Sequence, residues 1–329
     1  MFSLLFARSA AKVAATINGK EYTGETLKAI LDSNQIEHVY EINASGDITF
    51  SEFKLEPMLS ANQIIMGNML ETDLPDELFK ESSVSVVSFA KVQRIGKGAF
   101  LGAKSLKSAS FPEAIQVSKN AFSGCGKLET VDIPKAISIE DAAFSGSGIK
   151  NVTFSNALIM YSSVFADCQS LIEVNLPNVS CIIDDMQFFN CSNLTTIRLP
   201  SVKILYFNNS QFVQNSPNLT SLYFPANPPE GVEDQTFNLT DATKFNIVLP
   251  SEKDWKNYIS QSNISKKYEI VYKGYNSHVI DSSRKFKKTV LPYLIIAIVV
   301  VVIGVAVGLG FYFYKKGSLD SILPNSRLV

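Results

Sequence analysis

AFSGCGKLETVDIP, residues 121–134, is one copy of a line that the chain repeats. Its companions are AFLGAKSLKSASFP (99–112), VFADCQSLIEVNLP (164–177), QFFNCSNLTTIRLP (187–200) and a looser QFVQNSPNLTSLYFP (211–225). AFSGSGIKNVTFS (143–155) and LFKESSVSVVSFA (78–90) are the same line one residue shorter and without the proline. The anchoring aromatics are Phe79, Phe100, Phe122, Phe144, Phe165, Phe188 and Phe212, spaced 21, 22, 22, 21, 23 and 24 residues apart. Self-similarity at that period specifies a solenoid, in which each repeat buries its apolar side only against its neighbours.

Residue types within the line assign its parts. Val131 and Ile133 fall on one face of a short strand, with Leu128 ahead of them, and Thr130 and Asp132 fall on the other. Stacked turn on turn, such strands form one parallel ladder. Proline has no N–H to give to it, so Pro112, Pro134, Pro177, Pro200 and Pro225 mark where each strand stops. The phenylalanines fill the core between turns. The fold expected is a parallel β ladder with short helical or irregular convex turns.

This phrase, of the form AF..C..L..V.LP, resembles the BspA-like leucine-rich repeats of bacterial and protozoan surface antigens of the trichomonad type. The resemblance covers residues 78–250, about half of the chain. It implies a leucine-rich-repeat solenoid displayed on a cell surface as a non-enzymatic adhesion or host-interaction module.

Working outward from the array, residues 1–16 form an uncertain leader, in which Arg8 interrupts a short apolar stretch. Residues 17–77 read as an N-terminal cap with degenerate repeats, including a short helix over 26–31, and Leu31, Ile36 and Val39 keep the repeat spacing. Residues 41–52, EINASGDITFSE, partly match a calcium loop through Asn43, Ser45, Gly46, Ile48 and Glu52. The preferred reading is two strands, 38–42 and 47–50, joined by a turn at Gly46. The repeats proper occupy 78–236. A degenerate last repeat and C-terminal cap follow over 237–272, with Trp255, Tyr258 and Ile259 at helical spacing to cover the final turn.

Beyond a polar linker (273–289), residues 290–314 are apolar and reach about 37 Å as a helix at 1.5 Å per residue. That suffices to cross a bilayer core of about 30 Å and contact its lipid. Tyr293, Tyr312 and Tyr314 sit where an interfacial belt belongs, and Gly304 and Gly308 offer a weak homodimer contact. A short tail, 315–329, ends the chain. Arg284, Lys285, Lys287 and Lys288 before the span slightly favour an inward array, as a tail-anchored scaffold facing the cytosol. The surface resemblance and the glycosylation sequons favour the outside, and the external orientation is preferred.

Those sequons are Asn43, Asn151, Asn178, Asn190, Asn193, Asn208, Asn218, Asn238 and Asn263. Chance gives roughly three or four of this motif. Outward strand positions form two columns: Ser88, Ser110, Asp132, Thr153, Asn175, Arg198, Tyr223, and Val86, Ser108, Thr130, Asn151, Glu173, Thr196, Ser221. The ligand-binding candidates are Thr196, Arg198, Ser221 and Tyr223, because an aromatic beside a cation has hot-spot composition, and the ligand expected is an extracellular protein or glycan. Cys125, Cys168 and Cys191 share one slot, taken by Ala103 and Asn215 in other copies, and read as buried free thiols, although Cys168 and Cys191 lie close enough to bridge if oxidised. With two histidines, His38 and His278, outside the array, no nucleophile, phosphate-loop or metal spacing appears, so no enzyme and no cofactor is expected. A net charge of −1 argues against a nucleic-acid partner.

Overall fold

The computed structural model describes residues 13–183, 186–206, 212–229, 246–253, 255–261 and 269–273. All belong to the unit Met1–Ser277; the second unit, His278–Val329, lies outside the described residues, and with it the expected span at 290–314, the Gly304–Gly308 pair and the tail. Among the described residues no helix is long and apolar enough to cross a membrane.

The chain winds as a parallel β-solenoid of leucine-rich-repeat type. Its main ladder takes one strand per turn: Glu41–Ser45, Gln63–Met66, Val86–Phe89, Ser108–Ser110 and Thr130–Asp132 pair in parallel. A second run continues through Asn151–Thr153, Glu173–Asn175, Thr196–Arg198, Ser221–Tyr223, Asn246–Leu249 and Glu269–Tyr272. Middle residues of these strands point inward, and Ala109, Val152, Val174, Ile197 and Leu222 are all buried.

The opposite side differs from the short helical or irregular turns expected of it. It carries a second parallel ladder of seven short strands: Asp73–Leu74, Arg94–Ile95, Gln116–Val117, Ser138–Ile139, Ile159–Met160, Cys181–Ile183 and Ile204–Tyr206. The turns between the ladders hold left-handed residues two before and two after the anchoring phenylalanine, as at Gly98 (φ +59°) and Gly102 (φ +68°), or Asp167 (φ +61°) and Ser163 (φ +55°). Left-handed residues spaced this way stop an α-helix from propagating. They direct N–H groups along the solenoid axis instead: Gly98, Phe100 and Gly102 donate to the carbonyls of Lys119, Ala121 and Ser123 in the next turn at 2.8–2.9 Å.

Inside, the phenylalanines stack as expected. Phe79, Phe100, Phe122 and Phe144 sit 5.2 Å apart, centroid to centroid, with near-parallel rings. Phe165 and Phe188 continue the column at 5.8 Å spacings, and Phe212 closes it edge-on at 5.3 Å. A second aromatic row, Phe89, Phe111 and Phe154, packs beside the first.

At the N-terminal end, Val13–Ile17 and Lys20–Gly24 form an antiparallel hairpin, and the first strand pairs antiparallel with Glu41–Ser45. Residues 13–16 of the span read as leader therefore lie in this strand. Asn18 (φ 50°) and Gly19 (φ 78°) supply the two left-handed residues of a tight hairpin turn. The short helix is present as Leu27–Ser33, capped by Thr26. The expected pair of strands about Gly46 is not: Glu41–Ser45 is the first parallel strand, and Phe50–Lys54 is a 3₁₀ turn. At the other end, Trp255 is fully buried, its ring 5.9 Å from Phe224, and its indole N–H donates to the Pro225 carbonyl at 3.0 Å.

The main ladder is not continuous, contrary to the single ladder expected. Strands Thr130–Asp132 and Asn151–Thr153 end two separate sheets. The interruption falls where the full-length copy at 121–134 is followed by the shortened copy at 143–155, which lacks a counterpart of Lys127. Gly148 is drawn onto the preceding turn: its N–H donates to the Cys125 carbonyl at 3.1 Å, and a Cβ there would lie 2.3 Å from the Gly126 oxygen.

The inner and outer faces make a quantitative contrast. Phe122→Ala removes a fully buried ring that stacks on both sides and should cost about 3–5 kcal/mol, whereas Thr130→Ala, which loses an exposed 3.0 Å bond to Ser108, should stay within about 0.5 kcal/mol. Urea denaturation of the two variants checks this, and equal losses would overturn the face assignment.

Candidate ligand-facing surface

Strand register turns the sequence columns into geometry. Glu173, Thr196 and Ser221 are successive Cα partners, as are Asn175, Arg198 and Tyr223. The four predicted residues therefore share one patch on two adjacent strands, each half-buried. Glu173, absent from the predicted site, is its fifth member.

Arg198 is held from both sides. Its Nε donates to Glu173 Oε1 at 3.0 Å, and its guanidinium lies 4.2 Å from the Tyr223 ring centroid. Burial acts against the charge, but hydrogen bonds and attraction from Tyr223 and Glu173 outweigh it and hold the Arg198 pKa above its ordinary value. Both ion-pair partners remain over a third exposed, so the pair itself is worth at most about 1 kcal/mol. Its effect is to fix the direction of the guanidinium, a planar donor beside an aromatic face and the two hydroxyl residues Thr196 and Ser221.

The N-terminal half of the same face is quieter. Thr130 Oγ1 donates to Ser108 Oγ at 3.0 Å, and Ser110 Oγ donates to Asp132 Oδ2 at 3.1 Å. Hydroxyls there satisfy one another across turns.

The asparagines divide into two groups. Asn178, Asn193 and Asn218 donate their side-chain amides to the carbonyls of Ser155, Gln169 and Ser192 in the preceding turn at 2.6–2.8 Å, and Asn190 donates to Asp167 Oδ1 at 2.7 Å. Their recurrence thus has a structural cause in turn-to-turn bonding. Asn43 and Asn151 stand exposed on strands. Asn208, Asn238 and Asn263 lie outside the described residues.

Cys125, Cys168 and Cys191 are buried free thiols. Each donates to the carbonyl of the anchoring phenylalanine one turn earlier, Phe100, Phe144 and Phe165, at 3.0–3.1 Å. In the next copy this role passes to Ser216, whose Oγ donates to Phe188 O at 2.8 Å, and not to Asn215 as the sequence alignment suggested. Asn215 is instead a left-handed turn residue (φ 59°), because this copy carries an extra residue after Phe212. The calcium-loop alternative also falls: Glu52 accepts from the backbone N–H of Lys28 and of Thr49, so both its oxygens are occupied as caps.

The family model for the BspA type leucine rich repeat region matches residues 72–164 and 137–265, together more than half of the chain. No curated protein matches it. Among solved structures, the chain is similar to the leucine rich repeat protein of T. pallidum, with 24% identity over 62% of this chain and 89% of that one and a TM-score of 0.40. It is also similar to a leucine-rich repeat protein from Bacteroides ovatus (18% identity, 66% and 68% covered, TM-score 0.33). A leucine rich cell surface protein from Faecalibacterium prausnitzii is a further neighbour (17% identity, 63% and 84% covered, TM-score 0.25).

The thiol column has a pH signature. Burial pushes the Cys125 and Cys168 pKa values up from 9.0 to about 12 and about 11. A raised folded pKa means that the stability from the neutral thiols is complete below about pH 9 and is lost as pH rises toward those values. The stability of wild type against denaturant should therefore fall between pH 9 and pH 11 more than that of Cys125→Ala/Cys168→Ala; parallel losses would exclude the thiols as the cause.

Proposed function

This chain belongs to the BspA-type leucine-rich-repeat family, and from that premise we propose that it is a single-pass, membrane-anchored surface protein. It is non-enzymatic and binds protein or glycan ligands in cell adhesion or host interaction. In this reading residues 78–236 are the recognition array, 17–77 and 237–272 its caps, 273–289 the linker and 290–314 the anchor, with a short tail at 315–329.

The observation that carries the binding role is the held guanidinium: Arg198 fixed between Glu173 and Tyr223, with Thr196 and Ser221 alongside. A side chain oriented before binding loses little rotamer freedom when a ligand arrives. Aromatic and arginine anchors carry about 2 kcal/mol or more each where they are true hot spots. Many anchored copies on one surface then raise the effective concentration for each further contact.

Binding is tested by coating beads with the protein and counting attached cells. Arg198→Ala/Tyr223→Ala should reduce attachment with no change in the melting temperature of the array, while undiminished attachment would exclude this patch. No attachment by wild type at any density would argue against adhesion.

Topology is tested separately. Protease added to intact cells should destroy the array and spare a fragment containing residues 290–329. An array protected until the cells are permeabilised would favour the tail-anchored scaffold, the reading that the basic residues Arg284, Lys285, Lys287 and Lys288 support.

A further inference from the structure

Strands Thr130–Asp132 and Asn151–Thr153 face one another across the interruption as two unpaired edges of one ladder. Most Cα pairs between them lie more than 8 Å apart, where paired neighbours stand about 4.8 Å apart. The opening is confined to this side. On the second ladder the same two turns stay joined, with Ser138 and Ile159 as Cα partners.

The bonds on the outer flanks fix where the backbone groups point. Thr130 N–H donates to the Lys107 carbonyl and Phe111 N–H to the Asp132 carbonyl, so Thr130 and Asp132 are turned to the preceding strand. In a parallel ladder the residue between them bonds to the other side, which aims the N–H and C=O of Val131 into the opening. Glu173 N–H donates to the Lys150 carbonyl, and by the same alternation Asn151 and Thr153 point back toward Val131. The bonds that would close the ladder, from Asn151 N–H to the Glu129 carbonyl and from Ile133 N–H to the Thr153 carbonyl, are not made. Backbone groups left this way are costly unless water or a ligand meets them. Val131 registers the opening from within: it holds the inward position of its strand, where Ala109, Val152 and Val174 are buried, yet it is partly exposed.

This pattern suits one kind of occupant. Donors and acceptors alternate along both edges at the rise of an extended chain, about 3.3 Å per residue, and another extended main chain offers both kinds of group to both sides at that interval. It needs the edges roughly 9.6 Å apart, twice the ladder spacing, and they have already left the spacing of a closed pair. Lys150 and Glu129 pair across the gap at 3.6 Å, but both are more than half exposed and hold the turns together only weakly. Bonds from Gly148 N–H to the Cys125 carbonyl and from Asn156 Nδ2 to the Pro134 carbonyl close the slot at its two ends. The occupant is therefore short, and it enters and leaves through the outer face.

We propose that this interruption is a slot for β-strand addition, taking a short extended peptide segment of a protein ligand. A small or β-branched apolar residue of the peptide faces inward beside Val131, and polar neighbours face outward beside Asp132 and Asn151. The proposal rests on the binding function proposed above and gives it a ligand class at a second place on the same face.

The test uses the full chain in detergent, produced without N-glycosylation so that Asn151 is unmodified, with a displayed library of short random peptides and a panel of neutral oligosaccharides as probes. Peptides with apolar residues at alternate positions should be selected. On binding, amide hydrogen exchange should slow in residues 129–133 and 150–154 more than in Ser108–Ser110, a strand already paired on both sides. N-methylation of the central amide of the peptide should weaken binding about tenfold or more, because a donor is lost and its acceptor is left unpaired. Val131→Pro removes a donor that faces the opening and no ladder bond, so it should weaken binding to a similar degree with the melting temperature unchanged; the N-methylated peptide decides the matter if that variant fails to fold. Selection of no peptide, whether or not an oligosaccharide binds, would overturn the proposal. So would full-strength binding of the N-methylated peptide, or protection that falls outside the two edges. Because the probes are free peptides, failure here leaves the bead assay of Arg198 and Tyr223 standing, and a failure of cell attachment leaves the slot standing.

Discussion

One distance governs the array: the spacing of about 4.8 Å between hydrogen-bonded strands. Each turn of the chain advances by that amount, and every side chain at a repeated position must live with a copy of itself one step away. A phenylalanine satisfies this condition well, because offset-stacked rings sit naturally at little more than the ladder spacing, and the observed 5.2 Å from Phe79 to Phe144 meets it. The cysteine slot satisfies it differently. There the preceding turn presents a carbonyl, so a small side chain with a weak donor fits and an alanine or serine can replace it. Further along the column the spacing departs from this value. The Phe144–Phe165 and Phe165–Phe188 steps widen to 5.8 Å, and after the longest copy, of 24 residues, the last ring turns edge-on.

A structure built on repetition must be stopped at both ends, and the two ends are stopped by different chemistry. At the start, the ladder direction reverses. The hairpin at residues 13–24 pairs antiparallel with the first parallel strand, and Asn18 accepts from the backbone of Tyr40 and Glu41 while donating to the His38 carbonyl. At the finish, an aromatic covers the core. Trp255 has no room to repeat, and its single N–H is satisfied by the Pro225 carbonyl, a group that in earlier turns accepts from asparagine or serine, as at Pro134 and Pro177.

Period and polarity were legible because they are statements about residue spacing. The seven phenylalanines, the inward and outward alternation around Val131, and the buried cysteine slot all follow from counting along the chain. The second ladder was not legible in the same way. Its strands are two or three residues long, too short for alternation to show, and the left-handed turns that replace a helix are filled by Gly98, Asn120, Ala142 and Asp167, residue types with no common pattern. The hairpin at Asn18–Gly19 carries a local signal of its own, since an Asn-Gly pair is a strong turn former, but it lies outside the repeated line and shares none of its spacing. At Asn215 the extra residue of this copy displaces the register, and Ser216 fills the slot because its hydroxyl reaches the Phe188 carbonyl.

The outward face follows a weaker rule. A repeated outward residue also meets its own copy one step away, but water screens the encounter and many side chains are tolerated. Differences between turns on this face are therefore not dictated by the stack. In the first half of the array they cancel locally, with hydroxyl on hydroxyl and Ser110 on Asp132, leaving little pre-oriented for a partner. Further along, Glu173 and Tyr223 lie on the strands either side of Arg198 and fix its plane without burying it. Recognition on a solenoid needs such departures from repetition: an unbroken column of like residues presents the same contact at every turn, and only where copies differ does one position become distinct from the next.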